Sequence, residues 1–355
     1  MKHRHLGALA ALALSATIIA PAHAQGISMN NPMASQGREL PTINMEAALD
    51  QATWTDPSVA QKVEPGNLVT FGDSIMANMT AGDATFSVAT KGARQANPDL
   101  AGPISKVNPN INLHGCAQGT PSLPKKMAAE LGVPLNDYSC PGATMYTPTA
   151  AALTIPEQVD AAVADGALNP QTRYVTLQGG YNDVYNNYFT LTGEGANDEQ
   201  IAAQTNRPTQ KAMFAAAIDQ AVAKIKAAAP NAKIALVGYH EITEDTPAGW
   251  QCLFHIGEGY GKDNTWGASA AFPIFFDTQG EMNVQKWMAE AAQRHGVMFA
   301  DERAFSAGHG ECAPAADRWV AGILVDTTTG EHNLALHLTD EGVEAIGNDI
   351  AQKIR

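Results

Sequence analysis

Short apolar runs alternate with longer helical stretches along most of this 355-residue chain, and that alternation restricts it to a small set of folds. The predicted strands are Asn67 to Thr70, Leu135 to Ser139, Arg173 to Leu177, Lys233 to Gly238 and Val297 to Ala300. Between them, Ser122 to Leu131, Pro156 to Val163, Gln210 to Ala228 and Val284 to His295 have helical composition. Gly132 stops the first of these, and a final helix is predicted from about Thr339 to Ile354. Strands in this order need crossover helices, which points to a parallel α/β sheet covered on both faces. With no internal repeat and no strong internal boundary, one domain is expected over 61–355. Two segments are read as long loops: Asn186 to Pro208, which is polar and lacks either period, and Glu241 to Phe276, which is rich in Gly, Trp and Phe with Cys252 inside. Each follows a predicted strand, so both are placed where open α/β sheets bind ligands, as candidate pocket walls.

The amino terminus has a different character. Met1-Lys2-His3-Arg4-His5 precedes an Ala/Leu-rich run, and Ala22-His23-Ala24 supplies an A-x-A cleavage site before Gln25. Residues 1–24 are therefore predicted to be a secretory signal peptide, too short in its apolar part to span a bilayer. A polar leader follows over 25–60, and no later run reaches membrane-spanning length. Secretion to the medium or cell envelope is expected after cleavage near Ala24. Losing Lys2 and Arg4 takes the formal net charge from -14 to -16, which argues against nucleic acid and anionic lipid surfaces as partners. The four cysteines, Cys116, Cys140, Cys252 and Cys312, allow three pairings, of which the sequential one is simplest. None has C-x-x-C spacing, so a zinc site is not indicated.

Phe71-Gly72-Asp73-Ser74-Ile75-Met76-Ala77 follows the first predicted strand and sets a serine where a buried strand meets a turn. A helix starting there would aim N–H groups at the serine oxygen. An ordinary capped turn has the same local sequence, so the remaining strand ends decide between the two. They bring Gly142 after the second strand, and Gly180 and Asn182 after the third. His337 lies just before the last helix. A serine, N–H donors and an imidazole at loop positions are the parts acyl transfer needs. Asp73 is read as a structural residue of the turn. Tyr181, Tyr185, Tyr188 and Phe189 are either an acyl pocket or loop packing, and Asn78-Met79-Thr80 is a formal glycosylation sequon.

At these residues the chain resembles the SGNH hydrolase superfamily, also called GDSL esterases or lipases. Phe71-Gly72-Asp73-Ser74 resembles the nucleophile block, and Ser139-Cys140-Pro141-Gly142-Ala143-Thr144 the block whose glycine N–H helps form the oxyanion hole. Gly180-Tyr181-Asn182-Asp183 is similar to the family's Gly-x-Asn-Asp, with the asparagine amide as a further donor, and His337 matches the histidine of the last block. The resemblance implies a flavodoxin-like three-layer α/β/α sandwich with a parallel sheet of about five strands. It also implies a serine carboxylic-ester hydrolase, monomeric and without metal or cofactor, with catalytic Ser74 and His337 and an oxyanion hole from Ser74, Gly142 and Asn182. The substrate would be a small-molecule, lipid or acylated-sugar ester. An acyltransferase or a catalytically silent envelope-binding protein on the same scaffold are the alternatives.

The disulfide-bearing secreted branch of actinobacterial esterases is the nearest likeness. It is carried by the Cys116 to Cys140 region and by Cys312 followed by Asp317-Arg318-Trp319-Val320, and it favours sequential pairing. One position departs from the family. Where Asp-x-x-His is usual, Leu334 stands three residues before His337, so no local carboxylate orients the ring. A Ser-His dyad is expected, with a backbone carbonyl near Trp319 or the more distant Asp326 as orienting group.

Overall fold

The structure is a computed structural model that describes residues 63–148, 152–184, 208–243, 250–256, 268–273, 275–322, 325–326 and 336–355. The chain divides into two units, Met1–Thr55 and Asp56–Arg355, and all described residues belong to the second. The predicted signal peptide and leader lie outside the described residues.

Four strands come first in chain order: β1 (Leu68–Phe71), β2 (Leu135–Asp137), β3 (Tyr174–Leu177) and β4 (Lys233–Val237). They are followed by β5 (Trp250–Ile256), β6 (Ala268–Pro273), β7 (Met298–Ala300) and β8 (Val325–Asp326). Five of them form one sheet in the order β2-β1-β3-β4-β7, every neighbouring pair parallel. This is the expected five-stranded parallel sheet. The chain leaves β1 toward one side to make β2 and then crosses to the other for β3, so the end of β1 is the switch point where such sheets open a crevice.

The helices are α1 (Ser74–Ala77), α2 (Ala81–Ala96), α3 (Ala101–Val107), α4 (Leu123–Leu131), α5 (Ile155–Ala164), α6 (Pro208–Ala228), α7 (Phe275–His295), α8 (Glu302–Phe305) and α9 (Asp340–Ile354). Strand alternation distributes the core between the two faces of the sheet. Val69, Phe71, Val175, Leu177, Ile234 and Leu236 pack on α5, α6 and α7, whereas Leu68, Tyr174, Ala235 and Val237 pack on α4 and α9. Side chains such as Leu68 and Phe71 have no exposed surface, and each such burial contributes about 1.5–3 kcal/mol. Buried polar pairs fix the register between β1 and β2: Thr70 Oγ1 donates to Asp137 Oδ1 at 2.8 Å and Asn67 Nδ2 to Asn136 Oδ1 at 2.7 Å. Slipping the strands by one residue would strand these groups without partners.

Local chemistry explains the helix ends. Pro156 sits in the first turn of α5, and Thr154 and Glu157 cap it reciprocally. Gly132 ends α4 at φ +64°, a conformation glycine adopts without steric cost. The long-loop expectation for Glu241 to Phe276 is overturned in part. That segment contributes β5 and β6, which pair antiparallel, and β8 adds to β5 in parallel to give a second, three-stranded sheet. Helix α7 also starts nine residues before its predicted beginning, at Phe275. Asn186 to 207 lies outside the described residues, as do Tyr185, Tyr188 and Phe189.

Both disulfides pair sequentially, Cys116 with Cys140 and Cys252 with Cys312. The second ties β5 to the segment after α8. Around it, Cys252 N–H donates to Glu311 Oε2 at 3.2 Å and Arg318 donates to the Ala313 carbonyl at 2.9 Å.

Candidate active site

Ser74 is the first residue of α1, directly beyond β1 at the switch point. Asp73 caps this single turn, its Oδ1 accepting the Ile75 N–H at 3.0 Å. Tyr239, two residues past the end of β4, donates its hydroxyl to Asp73 Oδ2 and accepts the Tyr181 N–H at 3.3 Å. One phenol therefore joins the loops after β1, β3 and β4. Complete burial pushes the Asp73 carboxyl up to about 6, against the Tyr239 and Ile75 hydrogen bonds that favour its charged form, and the nearby Asp183 charge adds to the rise. Asp73 is thus part of the frame and not a solvent-facing acid, as expected from its place in the turn.

Gly72 is held from both sides. The Gln158 amide of α5 accepts the Gly72 N–H at 3.0 Å and donates to its carbonyl at 2.9 Å. That carbonyl also accepts the Cys140 N–H at 2.9 Å, which brings the second block alongside the nucleophile turn. Two residues later Gly142 turns at φ +80°. Asp183, itself buried, then grips the chain that follows Gly142: its carboxylate accepts the N–H groups of Met145 at 2.6 Å, Tyr146 at 3.1 Å and Thr147 at 2.9 Å. Desolvation raises its carboxyl above the ordinary range, in opposition to those donors. Its neighbour Asn182 donates through Nδ2 to the Ala143 carbonyl at 2.9 Å. The third block is therefore fastened to the second by side chains from both Asn182 and Asp183. Gly180, at φ +113°, leaves no room for a side chain, since a Cβ would lie 2.5 Å from the Phe214 ring.

Ser74, Gly142 and Asn182 are half-buried, whereas Asp73, Asp183 and Gly72 are buried beneath them. Tyr181 packs its ring on Tyr239 at 5.6 Å between centroids, which makes it core and not a pocket wall.

His337 is buried at 6% exposure on the segment entering α9. The backbone before it is constrained: Leu336 has φ +64°, a left-handed conformation costly for a residue with a Cβ. Leu336 N–H donates to the Ala321 carbonyl at 3.0 Å and Ala321 N–H returns to the His337 carbonyl at 3.0 Å. The Trp319 carbonyl accepts the Thr339 N–H at 2.9 Å, so 319–321 and 337–339 run as a short antiparallel pair. One lone pair remains on that carbonyl. Leu334 lies outside the described residues, as does His332, the other histidine close by in sequence that could be read as the base. Asp326 is described in its backbone, which pairs with His255 in the second sheet.

Two side chains central to this frame, Gln158 and Tyr239, were not singled out from the sequence, nor was the buried His240 next to Tyr239 in the chain. Tyr239 and His240 directly follow Gly238 at the end of a predicted strand, and comparing that strand end with the others would have found them. His240 is 2% exposed. Burial first, then electrostatic repulsion from the neighbouring His337 and Arg303, holds its imidazole down to about 3.

Among the described residues no group of His, Cys, Asp or Glu side chains is arranged to hold a metal ion, and no helix is long and apolar enough to cross a membrane. A depression of about 610 Å³ lies beside Lys226, Lys233, Met298 and Lys353, at the opposite end of the sheet. Its lysines are already engaged: Lys226 donates to the His295 carbonyl at 2.5 Å, Lys233 to the Arg355 carbonyl, and Lys353 to Glu302 at 3.1 Å.

The GDSL-like lipase/acylhydrolase family model matches residues 70–345, a span that includes all four blocks. Among solved structures, the chain is similar to an extracellular lipase from Streptomyces rimosus at 17% identity and a TM-score of 0.50, over 81% of this chain and 99% of that one. A phospholipase A1 from Streptomyces albidoflavus matches at 17% identity and a TM-score of 0.49, over 82% and 100% of the two chains. A carbohydrate acetylesterase from Sinorhizobium meliloti matches at 14% identity and a TM-score of 0.40, over 81% and 97%. Among curated proteins none matches significantly by sequence.

Proposed function

The chain belongs to the GDSL-like lipase/acylhydrolase family and is a carboxylic-ester hydrolase, and from that premise we propose that it is secreted and works through a Ser74 acyl-enzyme with His337 as base. His337 takes the hydroxyl proton as Ser74 Oγ attacks the ester carbonyl carbon. The resulting oxyanion is met by the N–H groups of Ser74 and Gly142 and by the Asn182 amide. As the intermediate collapses, the proton passes from His337 to the departing alcohol. Water then attacks the acyl-enzyme with His337 again as base, releasing the acid and restoring Ser74.

The observation that carries this reading is the Asn182 Nδ2 bond to the Ala143 carbonyl, 2.9 Å long. An amide nitrogen has two hydrogens; this bond occupies one and fixes the group beside Gly142, which leaves the other for an oxyanion. The far nitrogen of His337 is held by the second lone pair of a carbonyl in the Trp319 stretch or by Asp326. Unchanged turnover in Asp326→Ala assigns the role to the carbonyl. Two disulfides fit the oxidising compartment that secretion would provide.

Kinetics on aryl esters from acetyl to palmitoyl test the reaction and grade the acyl pocket together. Wild-type protein should release acid, and Ser74→Ala should lose at least a thousandfold in kcat, on the order expected when a nucleophile is removed. Wild-type rates in Ser74→Ala would rule out this mechanism.

A further inference from the structure

We propose that Asn78 is a positioning residue that sets the distance between the nucleophile turn and the base, given Ser74 and His337 in the roles assigned above. Asn78 is the asparagine of the formal sequon Asn78-Met79-Thr80. Its side chain has no exposed surface, so the folded protein offers no glycan acceptor there.

What Asn78 does instead follows from its bonds. Its backbone N–H closes the turn that carries the nucleophile, donating to the Ser74 carbonyl at 2.8 Å. Its side-chain Nδ2 donates to the Leu338 carbonyl at 3.3 Å, next to His337, and to the Pro121 carbonyl, also at 3.3 Å. A single residue therefore bonds both to the residue bearing the nucleophile and to the neighbour of the base, across 260 positions of sequence.

Its backbone sits at φ +42°. Glycine would adopt that conformation at less cost, and asparagine is the common alternative. The two side-chain donors are what glycine lacks. Asn78 Oδ1 is buried with no hydrogen-bond partner among the described residues, so the amide is not there to satisfy its own polar groups. Both hydrogens are used to hold other segments. Leu334 stands where a carboxylate usually anchors the imidazole from its own segment, and Asn78 supplies a tie that runs from the segment of His337 to the nucleophile turn. Reacting groups held at near-attack distance are sensitive to small shifts, and about 1 Å of misplacement can cost on the order of a hundredfold.

The test compares Asn78→Gly, which keeps the left-handed backbone and loses both ties, with Asn78→Ser, which retains one hydroxyl donor. Circular dichroism establishes folding; kcat, KM and the pH dependence of kcat/KM on an aryl ester supply the readout. In folded Asn78→Gly we expect kcat to fall about 10- to 100-fold, KM to change less than twofold, and the acid limb of the pH profile to move as the setting of His337 changes. Should Asn78→Gly not fold, Asn78→Ser carries the same test. A folded variant with wild-type kcat and an unmoved pH profile overturns the proposal, as does loss of fold in both, which would make Asn78 purely structural. Labelling of wild-type Ser74 by a fluorophosphonate is read in parallel: labelled wild type with unaffected variants sinks only this inference, whereas unlabelled wild type sinks the reading beneath it.

Discussion

Burial closes His240 into the fold as a neutral ring, held down to about 3 by desolvation and then by the neighbouring His337 and Arg303. Such a group gives stability that is full above its unfolded value near 6.5 and is lost as pH falls toward its folded value. Asp73 acts with the opposite sign. Its carboxyl is raised to about 6 from 3.8, so its contribution is full below 3.8 and is lost as pH rises through 6. The two slopes oppose each other in mildly acid solution, and only a difference between proteins isolates either. Urea unfolding of wild type and His240→Asn between pH 4 and 7 should show the wild type losing more stability on acidification, by an amount on the order of a few kcal/mol. Parallel pH profiles would mean that His240 titrates normally in the folded state. Asn182→Ala bears on chemistry and not on titration: removing one oxyanion donor is expected to lower kcat about 100- to 1000-fold with little change in KM. An intact kcat would take Asn182 out of the oxyanion hole.

At the scale of elements, close backbone approach decides how the nucleophile turn is seated. Gly119 donates its N–H to the Ala77 carbonyl at 2.7 Å, and a Cβ there would lie 1.7 Å from the Asn78 carbonyl oxygen. Backbone cannot swing aside as a side chain can. Gly119→Ala should therefore destabilise the protein by about 3 kcal/mol or more in urea unfolding. Gly92, inside α2 with open space around it, supplies the contrast. Its alanine variant should gain about 0.5–1 kcal/mol from helix propensity. Equal effects at the two positions would contradict the packing argument.

The same scale shows where the sequence was readable. Strands β1, β3, β4 and β7 were legible because buried strands are mostly apolar runs, and β2, Leu-Asn-Asp, was legible from the helix stop at Gly132 before it and Cys140-Pro141-Gly142 after it; the predicted ends moved by only a residue or two. The blocks around Ser74, Gly142 and Asn182 were legible for a related reason, since each stands at the end of one of those runs, and His337 was legible from its place before the last helix. Strands β5 and β6 were not, because the surrounding Gly, Asp and Thr residues read as loop and the pairing that stabilises them is non-local. Tyr239 and Asn78 were missed as framework residues because what they hold lies far away in sequence: Asp73 in one case, Leu338 in the other.

Over the whole molecule, the disulfides divide stability from catalysis. The bridges close loops of 24 and 60 residues, and in the loop-entropy model each contributes roughly 3 to 4.5 kcal/mol, the longer loop more. Replacing Cys252 and Cys312 by serine should thus lower stability with a small effect on kcat. Replacing Cys116 and Cys140 should lower both, because the Cys140 N–H bonds to the Gly72 carbonyl two residues from Ser74. Equal kcat losses in the two double variants would contradict that division. The central claim, however, is a single nucleophile at the switch point of the parallel sheet, and covalent trapping tests it most directly. The intact protein is treated with a fluorophosphonate and the adduct located by peptide mass spectrometry. The account predicts one phosphonyl group per chain, on Ser74, with labelling slowed at least a hundredfold in His337→Ala. An unlabelled protein, or an adduct on another residue, would contradict it.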